Sequence, residues 1–431
     1  MSPSSTATSR RGPRGLARHG RLRRRGPVRT LLAVVAGTLA VLLVSSVSVA
    51  AIAVRSATSG VQTVTLGNED QVQDVSIGAI EGGANILLVG SDEREAGSQV
   101  DAGVVDGVRN DVNILVHLSE DHERVTAVSF PRDLMIDVPA CTGDDGTPHA
   151  AREYQQFNTL YGEGGMNCTV TAVEALTGLA IPYAGKITFD GVIEMSNALG
   201  GVDVCVTDRI RDRDSGLDLS AGTHTLQGVD ALAFLRTRHG VGDGSDLARI
   251  SSQQVFLSSL MRKVISGGTL GNVGTLYKLA SAALSNMTLS STLNSPDSIV
   301  QLGLAMRDLQ PEDIVFVQYP VVDDPYQAGR VVESELDAEA LNGLLQTDAA
   351  FALGDAAEGR GATVDESAAP VETTAPEAPA PAEGTSPDTG EGTTDGSTAP
   401  APEPEAVTTL PPTVTGQTAG EATCSQGSSR G

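Results

Sequence analysis

Three arginines, two aspartates and two glutamines fall in the nineteen residues from Arg236 to Gln254, most of them in Arg236-Thr-Arg238-His239, Asp246-Leu-Ala-Arg249 and Ser252-Gln253-Gln254. Arginine presents a planar fork of donors that matches phosphate oxygens two at a time. Two more arginines sit at the ends of predicted strands, Arg109 in Arg109-Asn-Asp111 and Arg132 in Phe130-Pro-Arg-Asp133, each beside an aspartate. The simplest chemistry that uses all of them is recognition and transfer of a phosphate or pyrophosphate group.

Two carboxylates extend that reading. Asp92 follows the apolar run Asn85–Val89, and Asp111 precedes Val112–Leu118. If those strands are neighbours, both carboxylates reach one end of a sheet. There they could hold Mg²⁺, with phosphate and water completing the shell. Each residue also has a plainer reading. Asp92 and Asp111 could be turn or cap residues, Arg132 and Asp133 a surface ion pair, and the Arg236–Gln254 pattern a solvated helix face. The acidic background and the recurrence of arginine beside each candidate carboxylate favour phosphate. Arg236 and Arg238, two apart, would diverge on a continuing helix, but His239-Gly-Val-Gly242 ends it. Asp246 suits the N-cap or first turn of the next helix, where Arg249 and Gln253 share a face. There is no Gly-x-Ser-x-Gly elbow, His-Glu-x-x-His pair or Gly-x-x-x-x-Gly-Lys loop, and His239 reads as incidental. A missing protein nucleophile fits direct transfer to an acceptor hydroxyl.

The elements that must position these groups are legible as a coarse pattern. Val112–Leu118 and Val125–Phe130 read as strands of an antiparallel hairpin. Val202–Val206 and 313–319 also read as strands. Helices are expected at Cys168–Thr177, Gly228–Arg238, Asp246–Ile265, 271–285, 295–307 and 334–346. Strands mixed with helices imply an α/β fold, a layered α-β-α domain with a mixed central sheet.

Charge divides the chain. Residues 1–29 hold nine arginines and no acid, whereas from Arg55 onward 17 Arg and 3 Lys face 54 acids, a balance of 20 − 54 = −34. No charged residue lies between Arg29 and Arg55. At about 1.5 Å per residue, Thr30–Val54 spans roughly 37 Å, enough to cross a bilayer with some tilt. A basic flank before it and an acidic one after it orient the N-terminus to the cytoplasm and the remainder outside. A cleaved signal peptide, with Ser48-Val-Ala50 as its site, and an RNA-binding basic arm are the competing readings. The expected layout is a basic cytoplasmic segment (1–29), a transmembrane signal-anchor helix (30–54), a stalk (55–80), a catalytic domain (81–350) and a disordered Pro/Thr/Glu-rich tail (351–431). Of the four cysteines, Cys141 and Cys168 flank one loop and are the favoured disulfide pair.

In this order the motifs resemble the LytR-CpsA-Psr family of bacterial cell-envelope proteins. The resemblance runs through Asn85-Ile-Leu-Leu-Val-Gly-Ser-Asp92, Arg109-Asn-Asp111, Ser129-Phe-Pro-Arg-Asp-Leu134, Phe157–Gly165, Ala198–Val204, Gly228–Arg238 and Asp246-Leu-Ala-Arg249 to Gln253-Gln254. Any one motif is weak; the ordered set is specific. It implies an extracytoplasmic phosphotransferase that moves a glycopolymer from a polyprenyl pyrophosphate to peptidoglycan, typically the muramic acid 6-hydroxyl. It further implies that Asp92 and Asp111 coordinate Mg²⁺, or Mn²⁺ in its place. Arg109, Arg132, Arg236 and Arg238 would hold the pyrophosphate, and Asp246, Arg249 and Gln253 would complete that site. The lipid would lie in an apolar pocket between sheet and helices. Three positions depart from the family pattern: Asn110-Asp111-Val112 replaces Ser-Asp-Thr, Gln156 replaces a lysine, and Ser252 replaces an arginine. Three lysines against 26 arginines, with many Ala and Gly, resemble products of GC-rich genomes such as actinobacteria. Arabinogalactan-like or teichoic-acid-like polymers are then the donors to expect.

Two other functions remain open on sequence: a non-catalytic module that binds polyprenyl phosphates or wall polymers, and a lipid pyrophosphatase. Dependence on Mg²⁺ and on an acceptor separates them from the transferase. No nucleic-acid partner is expected, because the basic segment is too short for a DNA-reading fold.

Overall fold

The computed structural model describes residues 62–67, 82–93, 107–266, 270, 272–354, 359–365 and 407–428. The basic segment and the 30–54 span lie outside them. Among the described residues no helix is long and apolar enough to cross a membrane.

Eight strands form the main sheet: β1 (Gln62–Val64), β2 (Ala84–Ser91), β3 (Asn110–Leu118), β4 (Val125–Phe130), β5 (Tyr183–Ile187), β6 (Met287–Ser290), β7 (Ile314–Gln318) and β8 (Gly416–Thr418). Their order is β1-β6-β5-β2-β3-β4-β7-β8. The sheet is mixed. β2, β3 and β4 are an antiparallel meander, while β5 joins β2 and β7 joins β4 in parallel. Among the described residues seven α-helices accompany it: α1 (Leu160–Thr177), α2 (Phe189–Ala198), α3 (Gly228–Arg236), α4 (Asp246–Ser266), α5 (Val273–Asn286), α6 (Pro296–Ala305) and α7 (Glu335–Gln346).

The near-continuous apolar runs of β2–β4 suit a sheet covered on both faces. Alternation along a strand sends neighbouring side chains to opposite sides. Leu87, Val89 and Leu115 join a core with α1 and α7, through Val170, Val173, Leu341 and Leu345. Ile86, Leu88 and Ile114 face the other way, toward Leu257 and Met261 of α4, Leu284 of α5 and Leu302 of α6. The expected α-β-α layering is therefore present. A four-stranded sheet, ordered Gly222–Leu226, Val202–Val206, Thr423–Ser425 and Ala362–Val364, packs on α3 and α4.

Several boundaries differ from the sequence reading. α1 begins eight residues before Cys168 and is broken at Gly165, whose φ of 71° favours glycine. α3 stops at Arg236, not Arg238, because Thr237 turns extended (φ −60°, ψ 134°). The tail expected to be disordered over 351–431 contains ordered segments. β8 forms an edge of the main sheet, and Thr423–Ser425 is inserted between Val202–Val206 and Ala362–Val364. A disulfide between Cys205 and Cys424 ties that segment down across 219 residues. Cys141 and Cys168 form the second disulfide.

Candidate active site

One end of the central strands gathers the candidate groups. Because β2 and β3 are antiparallel, the end of β2 meets the start of β3, with Ser91 opposite Asn110. Asp92 and Asp111 thus flank that corner. Asp92 is clasped by Arg109, whose N–H donates to Asp92 Oδ1 at 2.7 Å, while Asp92 N–H donates to Arg109 O at 3.2 Å. Burial pushes the Asp92 carboxyl above the ordinary carboxylate range. The Arg109 N–H works against that shift, and the charge of Asp111 adds to it.

Arg132 leaves β4 at the same end of these strands. Its Nη1 donates to Asp111 Oδ1 at 2.6 Å, and its backbone N–H donates to Asp246 Oδ2 at 3.1 Å. Burial lowers the Arg132 pKa, but Asp111, Asp246 and Asp133 outweigh it and hold the guanidinium above the usual arginine value. Asp246, the first residue of α4, also pairs with Arg249 Nη2 at 2.6 Å. Arg249 in turn donates to Asp111 O at 2.9 Å. Asp246 and Arg249 are buried, at 6% and 5% exposure, so the carboxylate fixes two arginines from behind.

The extended Thr237 brings Arg236 and Arg238 to one cavity, which a continuing helix would not do. The Arg236 guanidinium lies 4.4 Å from the Phe189 ring centroid. Arg238 Nη2 reaches Asp133 Oδ2 at 3.4 Å. Buried Asp212 sets this turn by accepting from Thr237 Oγ1 (2.9 Å), Arg238 N (2.9 Å) and His239 N (3.1 Å). Burial alone would raise the Asp212 carboxyl, but these donors hold it below the ordinary range. Gln253 Nε2 donates to Leu235 O at 2.8 Å and steadies the end of α3.

The cavity has a volume of about 510 Å³ and lies over β5, β2 and β3 beneath α2, α3 and α4. Its walls are mostly apolar, including Leu88, Ile114, Val192, Met195, Leu232, Phe256, Leu260 and Met287. Asp111, Arg132, Arg236, Arg238, Arg249 and Gln253 also line it. Asp246 stands behind these side chains. Asp92 adjoins the cavity through Ser91, which does line it, and Arg109 is exposed. Three buried guanidinium donors there, Nε of Arg132, Arg238 and Arg249, have no hydrogen-bond acceptor among the described residues. Buried donors are seldom left so. An anion with several oxygens would complete them.

Asp92 and Asp111 are the hard oxygen ligands that a divalent cation takes. Asp92 is held protonated more readily by burial and by Asp111, and a cation between the two would relieve both effects. Asp212, Asp214 and His239 bring three ligand atoms together beside the cavity, but Asp212 is already committed to the 237–239 turn.

Sequence reasoning missed Asp212 and Arg330. Arg330 Nη1 donates to Asp133 Oδ1 at 2.7 Å. Each acts across a long sequence gap, and no local motif marks either.

Comparison with known proteins adds an independent finding. The LytR_cpsA_psr family model matches residues 50–346. The cell wall biosynthesis protein LcpA of Corynebacterium glutamicum is 30% identical over 307 residues, covering 65% of this chain and 58% of LcpA. The polyisoprenyl-teichoic acid–peptidoglycan teichoic acid transferase TagT of Bacillus subtilis is 26% identical over 316 residues, covering 69% of this chain and 92% of TagT. The chain thus spans less than two thirds of LcpA's length but most of TagT's.

Proposed function

The chain belongs to the LytR-CpsA-Psr family, and from that membership we propose that it transfers a glycopolymer phosphate from a polyprenyl-pyrophosphate carrier to a hydroxyl of peptidoglycan, releasing polyprenyl phosphate. One observation carries the proposal: an apolar cavity whose polar lining includes three arginines with unmatched buried Nε donors. That combination suits a ligand with a long apolar tail and a polyanionic head. The names of the relatives, a cell wall biosynthesis protein and a teichoic acid–peptidoglycan transferase, agree with it.

In this reading Arg132, Arg236, Arg238 and Arg249 bind the pyrophosphate oxygens, and Arg109 adds charge at the corner. Asp246 and Gln253 hold the arginines in place. The acceptor oxygen forms a new P–O bond as the bridging P–O bond breaks. The electron pair leaves on the polyprenyl phosphate, and the hydroxyl proton is lost to solvent. The arginines stabilise the charge that develops on the transferring and leaving phosphates. Asp92 and Asp111 would hold Mg²⁺ or Mn²⁺, which supplies further neutralisation of the pyrophosphate when bound.

The two disulfides suit an oxidising, extracytoplasmic setting.

The test mixes the full chain in detergent with a short polyprenyl-pyrophosphate glycan and peptidoglycan chains, with Mg²⁺ or with chelator. Mass spectrometry should find a phosphodiester-linked glycan on peptidoglycan, lost with chelator and with Arg236→Ala. Lipid bound but unchanged would favour the binding module, and release of the phosphates without acceptor would favour the pyrophosphatase.

A further inference from the structure

The chain has six tyrosines and no tryptophan. Tyr161, Tyr183, Tyr277 and Tyr319 are buried or half-buried. The two exposed ones, Tyr154 (39%) and Tyr326 (87%), are far apart in sequence yet meet at one carboxylate. The Tyr154 hydroxyl donates to Asp324 Oδ2, and the Tyr326 N–H donates to Asp324 Oδ1 at 2.8 Å. Asp324 itself is buried. Tyr154 occupies a bulge opposite Asp137, where its N–H donates to Asp137 Oδ1 at 2.9 Å and its φ is 52°. Bulges beside active sites commonly re-aim a side chain. The Tyr154 ring is exposed yet held by its hydroxyl, and such a ring offers contact area at little entropic cost.

This pair is linked to the arginines. Tyr154 precedes Gln156 by two residues, about 7 Å along a strand. Gln156 Nε2 donates to Asp133 Oδ1 at 2.8 Å, and Asp133 Oδ2 accepts from Arg238. Tyr326 stands just before the turn from Gln327 to Arg330, and Arg330 donates to the same Asp133. Asp133, Gln156, Arg330 and both tyrosines stay outside the apolar cavity, whereas Arg132 and Arg238 line it. In sheet order the cavity lies over β5-β2-β3. The Val321–Asp323 and Val331–Glu333 hairpin follows β7, on the far side of β4. Asp133 thus links the cavity-lining Arg238 to Gln156 and Arg330, which lie outside the cavity on the tyrosine-bearing segments.

Phosphoryl transfer places the attacking and leaving oxygens roughly in line. With the lipid in the cavity as leaving group, the acceptor must approach from outside it, where the tyrosines lie. We propose that Tyr154 and Tyr326 form the acceptor subsite, stacking on sugar rings of the peptidoglycan glycan strand so that its hydroxyl reaches Arg132 and Arg238. Phenol rings suit a sugar, with a flat apolar face for its C–H groups and a polar edge for its hydroxyls. Two side chains are too small a patch for a stable protein interface, which needs upward of about 1,000 Å². The proposal rests on the transferase reading given above.

The test uses the full chain with Tyr154→Ala, Tyr326→Ala and Tyr326→Phe. It measures steady-state transfer and, separately, binding of a soluble β-linked N-acetylglucosamine–N-acetylmuramic acid oligosaccharide. Tyr326→Ala should raise the acceptor KM at least tenfold while the donor KM and melting midpoint stay put, and Tyr326→Phe should restore it. Normal acceptor KM and normal oligosaccharide binding in both alanine variants would overturn the subsite but leave the transferase reading intact. Oligosaccharide binding lost in those variants, in a protein that transfers nothing, would keep the subsite and remove the transferase reading.

Discussion

Arg132 Nη1 stands 2.6 Å from Asp111 Oδ1, an ion pair that joins the end of β4 to the start of β3 in the lining of the apolar cavity. Both side chains are about four-fifths covered, with 20% and 24% exposure. The pair serves geometry as well as charge, since Arg249 holds the carbonyl of the same Asp111. Asp111→Asn keeps the shape and removes the charge. Turnover should fall at least a hundredfold, the scale of losing one positioned electrostatic group. Stability should fall by about 1.5–3 kcal/mol, the usual worth of a hydrogen bond to a charged group. Transfer assays and urea unfolding read the two effects separately. Full activity in Asp111→Asn would remove this carboxylate from the site.

Arg238 tests whether the fork of donors matters or only the charge. Lysine keeps the charge but presents a point, so it cannot hold two phosphate oxygens in a plane. Arg238→Lys should lower kcat about 10²–10³-fold while its unfolding free energy stays within about 0.5 kcal/mol. The backbone of residue 238 still donates to Asp212 in the variant, which is why the turn should persist. Wild-type kcat in Arg238→Lys would mean that the turn presents this residue for a structural reason alone.

What the sequence reveals and what it hides divide along a physical line. β2, β3 and β4 are legible because a strand buried on both faces must be apolar almost throughout, and the arginine cluster because it stands out against an acidic chain. The arrest of α3 at Arg236 is hidden. The first glycine, Gly240, comes four residues later, and the stop at Arg236 depends on Asp212 accepting the Thr237 hydroxyl from a segment 25 positions away. The partnership of Arg330 with Asp133 spans 197 positions and leaves no periodic trace. Gly416-Gln-Thr418 and Thr423-Cys-Ser425 carry too few apolar residues to read as strands, so their place in two sheets comes from partners already folded.

Asp92 gives a pH-dependent prediction. Its folded pKa is raised above the unfolded value. Its contribution to stability is therefore present below the ordinary carboxyl pKa, about 3.9, and is lost as pH rises through the folded value. At neutral pH the ionised side chain costs stability unless a cation is bound. In chelator, Asp92→Asn should show a higher urea midpoint than wild type at pH 7, with the gap closing toward pH 4. Adding Mg²⁺ should raise the wild-type midpoint by mass action and leave the variant unmoved. Equal Mg²⁺ responses in the two proteins would place the cation elsewhere.

The C-terminal segment has the same standing as the arginines it steadies. Gly242 N donates to Gln426 O at 3.1 Å and Ser428 N to Gly240 O at 2.9 Å, so residues 426–428 flank the loop between Arg238 and Asp246. Ser425 Oγ meets Ser252 Oγ of α4 at 2.6 Å. A Cβ on Gly242, whose φ is 47°, would fall 2.2 Å from Arg360 O, so the loop is also pressed from the 359–365 side. Cys205–Cys424 closes a loop of 219 residues around this arrangement. Cys424→Ser should therefore lose about 2–5 kcal/mol and, because the loop that spaces Arg238 from Arg249 relaxes, more activity than its folded fraction accounts for. The measurement is kcat per folded molecule at a temperature well below the variant's melting midpoint, with a chain ending at residue 406 assayed beside it. Both proteins should bind the lipid donor more weakly than wild type. Unchanged kcat and donor affinity in the folded variants would reduce the segment to a staple with no hold on the site.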